Sequence, residues 1–344
     1  MNLMQTLGLD VPIIQAPMAG AQAGALAAAV SAAGGLGSIG CATLSTDGIR
    51  KELEIIRGHT DRAFNVNFFC HEPPRQDDAR EAAWRERLGP YYREFGIDAS
   101  SIPAGPGRAP FSAEAADLLA EAPPKVVSFH FGLPSAGLLA QVKSWGSLVI
   151  SSATTVDEAR WLEAHGADAI VAQGVEAGGH RGMFLTDDLT TQVGTLALLP
   201  QIVRAVRVPV IAAGGIADAA GVRAVLALGA SVAQIGTAYL RCPESTISRI
   251  HRDALASDAA RHTVLTNLFT GRPARGIVNR FIREVGPMND AAPRFPLATS
   301  AITPIRAKAE AAGSGDFSPL WSGQNATGCK AIPAAELTRE LAGL

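Results

Sequence analysis

Residues 169–182 read Ala169-Ile170-Val171-Ala172-Gln173-Gly174-Val175-Glu176-Ala177-Gly178-Gly179-His180-Arg181-Gly182. The apolar run Ala169–Ala172 is a short buried strand. Glycines at 174, 178, 179 and 182 then remove side chains where the backbone must bend or approach a ligand. Among them stand an amide, an acid, an imidazole and a guanidinium: Gln173, Glu176, His180 and Arg181. The stretch reads as a strand that delivers a catalytic loop, with the remaining chain as its scaffold.

Working outward, short apolar runs alternate with longer Ala/Leu-rich amphipathic segments on both sides, as in repeated βα units around a parallel sheet. Towards the N-terminus the strands are 12–15, 36–39, 63–69, 126–130 and 148–151; towards the C-terminus they are 209–213 and 231–235. Helices are expected at 23–33, 46–57, 112–121, 156–164, 195–206 and 219–228. Eight strands, each followed by a helix or room for one, close naturally into a TIM (β/α)8 barrel, with a doubly wound open sheet as the rival. Two regions break the rhythm. Residues 71–110, polar and rich in Pro, Arg and acids with a helical piece at 79–95, read as an insertion on the barrel rim. The barrel is expected to occupy 1–240, and 241–344 to form a helical cap and C-terminal segment packed on it.

Composition excludes several classes of function. Nearly half of the 344 residues are hydrophobic, enough for a large core, and a net charge of -2 without a basic face argues against nucleic acid. Cys41, Cys70, Cys242 and Cys329 are scattered, with neither CxxC nor metal spacing, and read as reduced thiols. No basic stretch followed by an apolar core opens the chain, and the Ala-rich run 23–33 is too short to span a bilayer. These features point to a cytoplasmic protein, a monomer or homodimer, with no membrane partner.

In a TIM barrel the site lies at the C-terminal strand ends. Gln15, Asn67, His130, Gln173, His180, Gln234 and Thr237 collect there, too many for chance surface polarity. Gly214-Gly215 closes the seventh strand and Gly236-Thr237 the eighth, each leading towards a helix N-terminus that favours an anion. Together they read as a phosphate cradle. With no Walker lysine and no GxGxxG after the first strand, a mononucleotide is indicated rather than ATP or a Rossmann dinucleotide. The Asn67 and Gln173 amides suit the polar edge of a flavin ring. His180 and His130 are the acid/base candidates, since imidazole titrates near neutrality. Glu176 either orients a partner or pairs with Arg181. His59, His71, His165, His251 and His262 read as solvated, and no histidine spacing suggests a metal.

The motifs Pro12–Met18, Gly34–Ser38, Phe64–Asn67, Ser128–Gly132, Glu176–Gly182, Ala213–Ile216, Gln234–Thr237 and Trp321–Gln324 together resemble the nitronate monooxygenase family, formerly called 2-nitropropane dioxygenases, in its class I bacterial branch. The resemblance covers nearly the whole chain. It implies a TIM barrel with non-covalent FMN that oxidises alkyl nitronates, such as propionate 3-nitronate, with O2 to a carbonyl compound and nitrite. It places the catalytic histidine at His180. Cofactor contacts fall on Pro17, Met18, Asn67, Gln173, Gly178, Gly179, Gly214, Gly215, Gln234, Ile235, Gly236 and Thr237. One departure concerns the substrate pocket: the tyrosines and lysine that some relatives carry after the eighth strand are missing from Arg294–Thr303, which implies a less polar pocket. Two alternatives stay open, an FMN-dependent enoyl-acyl-carrier-protein reductase using NAD(P)H and a non-catalytic flavin-binding protein.

Overall fold

In the computed structural model, which describes residues 2–75, 77–102 and 108–344, the apolar runs form eight parallel strands. They are β1 (Ile13–Gln15), β2 (Gly37–Gly40), β3 (Phe64–Phe69), β4 (Val126–His130), β5 (Leu148–Ala153), β6 (Ala169–Gln173), β8 (Val210–Ala213) and β9 (Val232–Ile235). The label β7 goes to a two-residue strand, Gly179–His180, so the expected seventh and eighth strands are β8 and β9. Pairing runs β1-β9-β8-β6-β5-β4-β3-β2. The bridge between Ile14 and Leu36 then joins the two ends, so the sheet closes. This is the TIM barrel, and closure removes the open-sheet rival.

Strand residues alternate between two cores, as the period of two demands. Ala169 and Val171 point into the barrel with Ile14, Ile150 and Ile211, while Ile170 and Ala172 face the surrounding helices. The barrel floor is plugged by a short helix that the sequence does not announce, α1 (Leu3–Leu7). It starts on the Asn2 cap and inserts Leu3 and Leu7, four residues apart, against the interior. Burying each leucine contributes about 1.5–3 kcal/mol.

The outer ring contains α2 (Gly24–Ala32), α3 (Thr46–His59), α5 (Ala113–Ala120), α6 (Ala136–Ser144), α7 (Val156–Ala164), α8 (Thr195–Ala205) and α9 (Ala219–Ala227). Ser45, Ser112, Thr155 and Asp218 cap four of them, each side chain accepting from a backbone N–H in the first turn. The last place in the ring, between α9 and α2, is filled by α13 (Ala334–Ala342) from the far end of the chain.

Between β9 and α13 the chain builds a roof over the barrel mouth from α10 (Arg249–Ala256), α11 (Arg280–Val285) and α12 (Ala298–Ala311). The insertion helix α4 (Asp78–Glu94) joins it: Trp84, Leu88, Tyr91 and Tyr92 pack among Phe281, Ile302, Ile305 and Phe317. Gln76 and 103–107, which belong to the expected insertion, lie outside the described residues. The segment after Arg241 is not purely helical, which corrects that expectation. It contributes β10 (Thr263–Thr266) and β11 (Ala274–Ile277), antiparallel to one another, and β11 also pairs with β7. The glycine-rich loop is thereby clamped as the third strand of a small sheet.

Candidate functional site

A cavity of about 590 Å³ opens at the C-terminal strand ends, under the roof. Ten glycine, amide and neighbouring positions expected around a cofactor line it: Pro17, Met18, Asn67, Gln173, Gly178, Gly179, Gly214, Gly215, Gln234 and Gly236, and Thr237 joins them. His130 and His180 line it as well. Ile235 does not. Its side chain points the other way, 1% exposed, into the core between strands and helices, because it alternates with Gln234. The Ile235 side chain packs in the core, so the part of it that faces the cradle is its backbone.

The glycine cradle is built by close backbone approach. Gly214 and Gly215 have φ of 119° and 72°, a region that side-chain-bearing residues rarely enter. A Cβ on Gly178 would meet Gly323 N at 2.5 Å and Ser322 C at 2.6 Å. The turn at Trp321–Gln324 fixes three loops at once. Ser322 N donates to Arg275 O (3.2 Å), Gly323 N to Thr237 Oγ1 (2.9 Å) and Gln324 N to Glu176 O (2.9 Å). Asn325 Nδ2 adds a bond to Gly215 O (3.1 Å). The loops after β6, β8 and β9 are therefore held to one another by a segment over eighty residues further along the chain.

Glu176 and Arg181 do not pair with each other. The Glu176 carboxylate accepts from Thr195 N (2.9 Å to both oxygens) and Thr195 Oγ1 (2.8 Å), anchoring the start of α8. Arg181 is fully buried and donates to Gly174 O (2.7 Å), Gln173 O (2.8 Å) and Gln192 Oε1 (3.0 Å). Burial pulls its pKa down to about 10. Gln173 completes the loop: Nε2 donates to His180 O (3.0 Å), and Oε1 accepts from Gly182 N (2.8 Å). Both residues act on loop geometry.

His180 stands at the apolar end of the cavity. Its ring lies 5.3 Å from Phe295, 5.6 Å from Trp321 and 6.0 Å from Phe69. Its Nε2 is 2.9 Å from Thr270 Oγ1. Burial holds its pKa well below the usual value, and the positive fields of Arg108 and Arg272 push the same way, so the imidazole is neutral. Phe295, from the 294–303 segment, backs the rings of His180 and His71.

His130 has both ring nitrogens engaged. Nε2 donates to His180 O (3.2 Å), which leaves Nδ1 to accept from Ser152 Oγ (3.0 Å). Burial lowers its pKa to about 3. Gly182 permits this approach, since a Cβ there would lie 2.9 Å from His130 Cε1. A ring so occupied holds the His180 loop in place.

Two histidines expected to be solvated are buried here. His71 packs 4.8 Å from the Phe295 ring and reaches Arg108 O from Nε2 (2.9 Å). His251 lines the cavity, with Nε2 on Trp321 O (3.0 Å) and a pKa lowered to about 4 by burial. His59 and His165 bond carbonyls one turn back at 2.7 Å. Sequence reasoning also missed Arg108, Thr270 and Arg272, the last with its guanidinium 4.0 Å over the Phe131 ring. Phe131 itself has φ of 71°, an unusual value for a non-glycine residue, at the end of the strand that carries His130.

A barrel with a glycine cradle at β8 and β9 and a neutral histidine on a clamped loop has close parallels among known proteins. The family model described as nitronate monooxygenase matches residues 2–343. A nitronate monooxygenase from Paraburkholderia phytofirmans is 45% identical, over 98% of this chain and 93% of its own. One from Pseudomonas aeruginosa is 44% identical, over 97% and 96%. The solved structure of nitroalkane oxidase from Streptomyces ansochromogenes superposes with a TM-score of 0.91 at 39% identity, covering 100% of this chain and 97% of that one. Fold and sequence agree across the whole length, and the chain belongs to the nitronate monooxygenase family.

Proposed function

We propose that the protein is an FMN-dependent nitronate monooxygenase that converts alkyl nitronates and O2 to a carbonyl compound and nitrite, and that it also accepts neutral nitroalkanes. The observation that carries this reading is the neutral His180 at the aromatic end of a cavity whose other wall is the Gly214-Gly215 and Gly236-Thr237 cradle. The names of the similar enzymes, acting on nitronates and on a nitroalkane, support it.

FMN fits the residues present. The glycines of the cradle would receive its phosphate, since backbone can approach there without a Cβ. Pro17, Met18, Asn67, Gln173, Gly178, Gly179 and Gln234 would border the rest. When bound, the flavin supplies the electron chemistry between substrate and O2.

The chain's own residues supply positioning and proton transfer. The Thr270 hydroxyl reaches Arg272 O (3.4 Å), which directs its proton away from the imidazole. His180 Nε2 then donates to Thr270, and Nδ1 keeps a lone pair for the α-proton of a neutral nitroalkane. A nitronate is already an anion and needs no such step. His130 fixes the His180 carbonyl, and the Phe69, Phe131, Phe295 and Trp321 rings keep water from the reacting carbon.

Purified protein should be yellow and release FMN on denaturation. It should consume oxygen and form nitrite with ethylnitronate in the absence of NADH. A colourless preparation that does not reconstitute with FMN would overturn the reading. NADH oxidation that depends on an enoyl thioester, without nitronate turnover, would instead identify the reductase.

A further inference from the structure

Arg108 borders the cavity, and its Nη1 is buried without a hydrogen-bond partner. Its guanidinium carbon lies 5.7 Å from the centre of the Phe295 ring. Among the described residues the charged group that acts on it is Arg306, of the same sign and already paired with Glu310 at 2.7 Å. His71 fixes the backbone beneath it, with Nε2 donating to Arg108 O (2.9 Å). Withdrawing a guanidinium from water without a counter-charge is costly, and a ligand that carries the missing charge removes that cost.

His180 lines the same cavity, and its ring lies 5.3 Å from the same Phe295 ring. The charges that act on His180 are those of Arg108, the stronger, and Arg272, and no carboxylate is among them. The uncompensated guanidinium is therefore a neighbour of the base. When a nitroalkane loses its α-proton, the charge moves to the two oxygens on the adjoining nitrogen. A group that receives this charge must stand beside the base, and Arg108 does. A planar O–N–O group presents two oxygens to the guanidinium fork, as a carboxylate does. We propose that Arg108 receives the two oxygens of the nitro or nitronate group beside His180, and so carries the negative charge of the reacting centre itself. This rests on the nitronate reading of the cavity and adds to it the residue that holds the substrate's charge.

The two substrate forms should respond to Arg108→Met in different constants, measured at matched flavin content. Ethylnitronate is charged when it binds, so its KM should rise about ten- to hundredfold, the worth of a charge-assisted pair. Neutral nitroethane gains its charge only as the proton leaves, so its KM should hold while kcat falls by a similar factor. Arg108→Lys should recover part of both losses. A side chain that merely packs on Phe295 would move the same constant for both forms. Nitrite keeps the O–N–O group and lacks the carbon, and its binding to the holoenzyme, measured by calorimetry, should weaken tenfold or more in Arg108→Met. The same constant changing equally for both forms, or nitrite binding wild type no better than Arg108→Met, would overturn the assignment. If wild type oxidises neither form, the functional reading fails, and nitrite binding alone decides whether Arg108 is an anion site.

Discussion

Gly178 and Gly179 are adjacent glycines needed for different reasons, and alanine at each should have different consequences. At Gly178 the added Cβ would lie 2.5 Å from Gly323 N and 2.6 Å from Ser322 C. Both are backbone atoms of a turn tied to Arg275, Thr237 and Glu176, so no flexible side chain can yield. Overpacking of this kind costs about 1–3 kcal/mol, and the backbone on both sides places Gly178→Ala at the upper end. Moving the turn also disturbs Thr237 and, through Asn325, Gly215, so cofactor affinity should fall with stability. At Gly179 the Cβ would meet nothing within 4 Å, but φ is 70°. Left-handed strain alone costs about 1–2 kcal/mol, and the Trp321–Gln324 turn is undisturbed. Chemical denaturation gives the stabilities, and the flavin-to-protein ratio after gel filtration gives retention. A Gly178→Ala protein with wild-type stability and full flavin would refute the reasoning, as would Gly179→Ala proving the more damaging of the two.

Thr270→Val removes the hydroxyl that orients His180, and should lower kcat/KM for neutral nitroethane about three- to tenfold, the worth of one ordinary hydrogen bond, while ethylnitronate turnover is preserved. Glu176→Ala leaves Thr195 N at the start of α8 without its acceptor, and should cost about 1–3 kcal/mol in denaturant unfolding. His130, His180 and His251 are held neutral by burial, with pKa values of about 3, well below normal, and about 4, and regain ordinary values on unfolding. The unfolded chain therefore binds more protons below about pH 6.5, so stability is full above that pH and falls as pH drops towards the folded values. Each histidine contributes a slope of about 1.4 kcal/mol per pH unit. Denaturation at pH 7.5, 6.0 and 5.0 reads this directly, and equal stability at all three would contradict the burial of these rings.

The barrel was legible because its information is local. Each strand is a short apolar run, and each helix has its own periodicity and often its own cap, so neither depends on distant partners. The glycine turns at Gly214-Gly215 and Gly236-Thr237, which line the cavity, were legible for the same reason. What stayed hidden was long-range. A two-residue strand such as β7 has no periodicity, and it exists only because Ala274 and Arg275 pair with it from far along the chain. Closure of the outer ring by α13 is equally non-local. His71 and His251 looked solvated because the residues that bury them, Phe295 and Trp321 among them, belong to the roof.

The most direct test of the account is kcat/KM for nitroethane and for ethylnitronate on wild type and His180→Asn, with flavin content matched. Asparagine keeps a polar group on the loop but no basic nitrogen. Turnover of the neutral nitroalkane, which must surrender its α-proton to the imidazole, should fall by about 10²–10⁴-fold. Turnover of the nitronate should persist, since the glycines proposed to hold the flavin phosphate, Gly214, Gly215 and Gly236, lie on other loops. Equal losses on the two forms would contradict the assignment of His180 as the proton acceptor.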